Sequence, residues 1–252
     1  VEMVFEHPAP GGPAVALATF AFGIQIYCDF SGYTDIARGL AKWCGFDLML
    51  NFNLPYAATN LRDFWRRWHI SLSTWLRDYL YRSLGGNRHG SARTLLNLFL
   101  TMLLGGLWHG AAWNFVLWGT WHGLGLVVHR VFAKDPSPPV GNLARLAGWL
   151  GTMVFVFYGW LLFRAGSWSR VSELTRALFD LSVPAWFGNY ALTVVVFSLP
   201  LVLMQIWQFR SQNLLAPQRL SAVGRGLLHG VLIVAIMIFW KKEQTPFIYF
   251  QF

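Results

Sequence analysis

The chain has 252 residues and carries 20 Lys and Arg against 11 Asp and Glu, a net charge of +9. Hydrophobic residues make up 55% and charged residues 12%, about half the roughly 25% usual in soluble domains. So few charges cannot cover a water-soluble globule and a disordered chain is not this apolar, which leaves an all-α polytopic membrane protein.

The basic excess reads as loop charge rather than as a nucleic-acid surface, because no basic patch lies outside the connections between apolar stretches. Cys28 and Cys44 form no CxxC pair and imply no disulfide framework. No internal repeat divides the chain, so residues 1–252 read as a single helical membrane domain.

In chain order, Val1–Pro13 is polar and rich in Pro and Gly, and the opening on Val1 points to the C-terminal part of a longer protein. Apolar stretches follow at about Ala14–Tyr27, Leu95–Trp108, Ala112–Phe132, Leu146–Phe163, Tyr190–Trp207 and Gly226–Trp240. Ile36–Leu50 is a shorter mixed segment interrupted by Lys42 and Asp47. Leu95–Trp108 is short enough to re-enter rather than cross. Connections fall at Pro-rich Lys134–Gly141 and at Arg210–Arg225, which holds no acid. If every stretch from Leu95 onward crosses, three loops totalling +10 share one face and two totalling +2 the other. The positive-inside rule then makes the face of Arg62–Arg93 cytoplasmic.

Asp29 and Asp35 sit just past the first apolar stretch. They either pair with arginines of the later Arg-rich helix, the preferred reading, or face a cavity. That Arg-rich segment holds seven Arg and two Asp between Arg62 and Arg93. Asn60 followed by Asp63 marks a helix start, and Gly85–Gly86–Asn87 marks its end. Leu61, Phe64, Trp65, Trp68, Leu72, Trp75, Leu76 and Tyr79 recur at helical spacing. This predicts one helix lying in the interface plane, its Trp face in the acyl boundary and its Arg toward headgroups. Against a purely interfacial role stands His69, on the apolar side near Trp65 and Trp68.

Among seven histidines, His109 stands out. It closes an apolar run and lies among Gly105, Gly106, Gly110, Ala111 and Ala112, where little side-chain bulk suits a substrate tunnel also lined by Trp108 and Asn114. An ionisable group at membrane depth is a functional candidate; the packing alternative is a hydrogen bond between helices. His122 lies thirteen residues on, about 220° away on a straight helix, so the two share no site unless the chain breaks at Gly110. His122 and His129 read as packing or interfacial residues. The histidine spacings match no metal motif, so no metal is expected. Ser31 lacks a GxSxG elbow, and the apolar setting of Cys28 makes it a poor nucleophile.

Five segments carry a resemblance: YCDFSGYTDIARGL at Tyr27–Leu40, NFNLPY at Asn51–Tyr56, FWRRWHISLSTWLRDYLY at Phe64–Tyr81, GGLWHGAAWNF at Gly105–Phe115 and FIYFQF at Phe247–Phe252. From about Ala14 onward the chain resembles the membrane-bound O-acyltransferase family, in its bacterial branch that modifies alginate and teichoic acid. The resemblance implies a bundle of transmembrane, re-entrant and interfacial helices in the bacterial inner membrane. It implies O-acyl transfer, with His109 in the family's LWHG motif as the catalytic histidine and His69 at its second signature position. It also implies a cytosolic thioester donor, acyl-CoA or an acyl carrier, as co-substrate with no bound cofactor. Membrane lipid, a periplasmic acetyltransferase and polysaccharide-synthesis proteins are the expected partners, and acetyl the expected group.

The chemistry of the residues agrees. Acyl transfer to a hydroxyl needs a base, an oxyanion stabiliser and exclusion of water. His109 serves as base, while His69 orients the substrate or donates to the thioester carbonyl. Arg66 and Arg67, with Trp65 and Trp68, are the expected donor-binding residues, through phosphate contacts. A transporter or acyl channel is the alternative, since buried His and broken helices also occur in proton-coupled carriers.

Overall fold

A computed structural model describes residues 1–7, 10–132 and 141–239. Among these there is no strand, and ten α-helices follow one another. They are α1 (Glu2–Glu6), α2 (Gly12–Trp43), α3 (Leu61–Arg67), α4 (Ile70–Trp75), α5 (Gly90–His109), α6 (Trp113–Phe132), α7 (Asn142–Arg164), α8 (Trp168–Ala177), α9 (Phe187–Ser211) and α10 (Ala222–Phe239). The chain divides into two units, Val1–Val195 and Val196–Phe252, with the division inside α9. The terminal FIYFQF motif and most of Lys134–Gly141 lie outside the described residues.

Helices α2, α5, α7, α9 and α10 are long and apolar enough to cross a bilayer, which makes this a multi-pass membrane protein. Helix α6 forms where a span was expected but falls outside that set, its apolar run diluted by Asn114, His122, His129 and Arg130.

In the first unit, α2 buries Ala14, Val15, Ala18, Thr19, Phe22, Gly23, Ile26, Tyr27 and Phe30, a stripe at three- and four-residue spacing. It packs on α7, where Gly23 lies against Phe157 and Trp160. The sequence reading of two segments, Ala14–Tyr27 and Ile36–Leu50, is corrected here. One helix takes in the first segment and the start of the second, ending at Trp43; beyond Phe30 it buries no residue, and Ile36, Leu40 and Trp43 are exposed along with Asp35 and Lys42. There Asp35 pairs with Arg38 of the same helix at 3.2 Å, not with an arginine of the later segment. Cys44 and Gly45 (φ +85°) end the helix, and the chain returns as an extended segment through Asn51.

Helices α5 and α6 form a tight hairpin. A Cβ on Gly106 would collide with the Phe115 carbonyl, and one on Gly119 would stand 2.7 Å from that of Met102. The small residues before His109 therefore let two backbones meet, the close backbone approach that their lack of side-chain bulk predicts. Helix α8 lies in the connection between the apolar stretches Leu146–Phe163 and Tyr190–Trp207, where the sequence marked no helix. Ser167 caps it, and Arg170 reaches from it to the carbonyls of Val4, Phe5 and His7 at the end of α1.

In the second unit, Phe197 stacks edge-on against Phe239 at 5.0 Å. A cavity of about 360 Å³ there is lined by Pro217, Gln218, Arg225, Leu228 and His229.

Candidate active site

The Arg-rich segment is not one helix. Asn60 does cap it, its Oδ1 accepting from Asp63 N at 2.8 Å, and Gly85 and Gly86 do end it in positive φ. Between them the helix breaks at Trp68 and His69. Trp68 is extended and His69 is left-handed at φ +44°, ψ +55°, a conformation that costs a non-Gly residue about 1–3 kcal/mol. The break persists because the extended segment satisfies it. Asn51 O accepts from Ile70 N at 3.0 Å, Asn51 Oδ1 accepts from Ser71 N at 3.1 Å and Ser71 Oγ at 2.9 Å, and Arg67 O accepts from Asn53 N at 2.9 Å. The helical spacing of the aromatic residues hid this break, since nothing in the segment itself breaks a helix.

The break turns the imidazole of His69 inward. It is 8% exposed, stands edge-on to Phe30 at 4.6 Å between ring centres, and has Nδ1 3.3 Å from Asn51 Oδ1. Burial pushes its pKa down to about 3, the nearby His109 adding to the fall. His69 is thus neutral at physiological pH and close enough to His109 to sense its charge.

His109 is the last residue of α5, and Gly110 separates it from α6. Its ring lies edge-on to Trp118 and to Phe163, both at 5.3 Å. The chain does break at Gly110, and His109 and His122 both lie against Trp118, the second at 4.8 Å from it. His122 is fully enclosed by Phe64, Trp65, Trp118 and Phe155, and neither ring nitrogen has a hydrogen-bond partner among the described residues.

The Trp stripe was expected to face lipid and donor; the structure turns Phe64 and Trp68 into the interior with Trp65 half-buried beside them, whereas Trp75 and Tyr79 stay exposed. Trp68 is 2% exposed and packs on Tyr27, Phe52, Tyr56, Phe64 and Trp160. Trp65 meets Trp118 and His122. The reason is the break itself, which points α3 into the space between α2, α6 and α7. Arg67 is bound to Asp63 at 2.9 Å and donates to Asn53 O at 3.2 Å, whereas Arg66 is exposed. Trp108 is 59% exposed beside the two histidines. Asn114 is buried, its amide donating to Phe163 O at 3.0 Å, so it fastens α6 to α7. Among the described residues no group of three His, Cys, Asp or Glu is placed to hold a metal ion.

Two polar residues beside His69, Asn51 and Ser71, carried no assignment from the sequence. The available signal was Asn51 itself, an amide between Leu50 and Phe52 that must find partners once buried.

A sequence profile of the membrane-bound O-acyltransferase family matches residues 14–166, which include both histidines and the hairpin between α5 and α6. The chain belongs to the membrane-bound O-acyltransferase family. It is 39% identical over 94% of its length to a probable alginate O-acetylase of Pseudomonas putida, covering 53% of that protein. It is 40% identical over 66% of its length to a peptidoglycan O-acetyltransferase of Helicobacter pylori, covering 32% of it. A teichoic acid D-alanyltransferase of Bacillus subtilis is 29% identical over 58% of the chain, 40% of that protein. The chain spans about half the length of the first of these relatives and less of the others.

Proposed function

We propose that this family member carries the histidine pair of a membrane O-acyltransferase, which moves an acyl group, acetyl by likeness to its relatives, from a thioester to a hydroxyl. The observation that carries the reading is that His69 and His109 lie against the same side chain, Trp108, at 6.5 and 5.1 Å between ring centres. Two separate helix interruptions, at His69 and at Gly110, bring them together inside an otherwise aromatic interior.

In this reading His109 is the general base. The hydroxyl oxygen attacks the thioester carbonyl carbon while His109 takes the hydroxyl proton. The carbon–oxygen bond forms, the carbon–sulfur bond breaks, and the proton passes to the departing sulfur. A positioned base contributes roughly 10²–10⁴-fold. Trp118 and Phe163 shield one side of the half-buried His109 from the water that would hydrolyse the thioester, while the exposed Trp108 side leaves the way in for substrate. No bound cofactor is required; acyl-CoA or an acyl-carrier thioester supplies the group from the cytosolic side of a bacterial inner membrane.

The acceptor is a hydroxyl of an exported polysaccharide, or of a periplasmic acetyltransferase that passes the group on. The three relatives are named for alginate, peptidoglycan and teichoic acid, which supports a cell-surface polymer as the end point. The test is acyl transfer from a radiolabelled acetyl thioester in membranes carrying the parent protein or His109→Ala at equal abundance. Flux of substrate that follows an ion gradient and survives His109→Ala would instead establish a transporter.

A further inference from the structure

Asn51 meets the Nδ1 edge of His69, whose ring also lies against Phe30 and Trp108. Its Oδ1 receives the Ser71 backbone N–H at 3.1 Å, and a backbone N–H only donates, so this atom is the amide oxygen and not the nitrogen. The same oxygen lies 3.3 Å from His69 Nδ1. This is the oxygen's third and longest contact, and a bare Nδ1 would set two lone pairs against each other there, so the arrangement favours a hydrogen on Nδ1. The competing arrangement has Ser71 Oγ donating to His69 Nδ1, but that distance is 3.4 Å against 2.9 Å to Asn51 Oδ1. Ser71 has one hydroxyl hydrogen, and the shorter contact takes it.

A neutral imidazole with its hydrogen on Nδ1 carries its lone pair on Nε2. We infer that Asn51 is a positioning residue that fixes His69 as its Nδ1–H tautomer, so that Nε2 meets the reacting groups as an acceptor. This rests on the proposed acyl-transfer reading and decides between the two roles open to His69. It takes a hydrogen bond from the acceptor hydroxyl or from the ring N–H of His109. It does not donate to the thioester carbonyl. The left-handed backbone of His69 fits the same design, because the bonds from Ile70 and Ser71 to Asn51 hold the residue in a conformation it would otherwise leave.

The tautomer is read directly by ¹⁵N chemical shifts of labelled histidine in the membrane-embedded protein, with His69 assigned by difference against His69→Gln. The expected spectrum has a protonated Nδ1 and an unprotonated Nε2. The reverse pattern overturns the inference, whatever the activity of any variant. Turnover supplies the second readout. Asn51→Leu should lower kcat by about 10- to 100-fold, the usual loss when a histidine's orienting partner is removed, with little change in KM for the thioester. Asn51→Asp, which keeps an accepting oxygen, should restore most of it when assayed at about pH 8, where the imidazole stays neutral. In the His69→Gln background Asn51→Leu should add no further loss. An equal loss there means that Asn51 serves only the fold and sinks the assignment. If Asn51→Leu fails to accumulate, the parent spectrum and the Asn51→Asp variant still decide. Full activity of His69→Gln would retire the role of His69 in the proposed reaction while leaving the tautomer result standing.

Discussion

Gly159 of α7 leaves the space that His122 of α6 fills: a Cβ on Gly159 would stand 2.6 Å from His122 Nε2. The contact joins two helices through a glycine and an imidazole whose nitrogens have no partner among the described residues. Gly159→Ala should therefore cost about 1–3 kcal/mol by overpacking, and most of that loss should vanish in a His122→Ala background. Thermal unfolding in detergent of the four variants measures the coupling. Equal losses in both backgrounds would show that the contact does not limit the packing.

The helices of this chain were legible where apolar runs were long, because burial and length both depend on composition that can be counted. The caps at Asn60 and Gly85–Gly86 were legible for a different reason, since those residue types satisfy or permit specific backbone geometry. The break at His69 was not. It is satisfied by Asn51, eighteen residues away, and although His enters the left-handed region more readily than most residues, nothing in the local sequence says that this one does. The same holds for the Trp stripe: helical spacing told that Trp65 and Trp68 share a face, but not whether lipid or protein covers it. His109 and His69 stood out as candidates from motif and setting, while their common contact with Trp108 required the two breaks to be seen.

The backbone of His69 yields a prediction independent of catalysis. Gly and Asn tolerate the left-handed region, whereas a bulky branched side chain does not. His69→Gly and His69→Asn should thus reach the membrane at parent levels, and His69→Leu should unfold at lower temperature. The same stability for all three would show that the strain at this position is relieved in the protein.

Burial of a neutral His69 also has a pH signature. Its folded-state pKa, about 3, lies below the ordinary 6.5, so between these values the unfolded chain binds the extra proton. The contribution is complete above pH 6.5 and is lost as pH falls toward 3. His69→Gln, which never charges, should lose less stability than the parent on acidification over that range. Denaturation in detergent at stepped pH gives the comparison, and parallel curves would mean that His69 is protonated in the folded protein.

His109→Ala should reduce acyl transfer by about 10²–10⁴-fold, the range for loss of a general base. Because His109 ends α5 and is not part of the Gly106–Gly119 contact, insertion and abundance should stay near the parent's. Activity above roughly a tenth of the parent's would exceed what a missing base permits and would remove His109 from that role.

The two neighbouring arginines should separate when replaced singly. Arg67 is engaged by Asp63 and by the Asn53 carbonyl, so Arg67→Gln should lower stability by about 1 kcal/mol and affect turnover only through the fold. Arg66 is exposed on the same short helix and is available to the phosphates of a thioester donor. Arg66→Gln should raise the KM for acyl-CoA by about threefold at low salt, in line with one exposed charge contact. Salt screens exposed charges over about 8–10 Å at physiological strength, so added salt should weaken donor use more in the parent than in the mutant. Lys at this position should rescue in part, because it restores the charge without the bidentate geometry. If Arg66→Gln leaves the KM and its salt dependence unchanged while the protein inserts less well, the side chain anchors the helix to anionic lipid and the donor docks elsewhere.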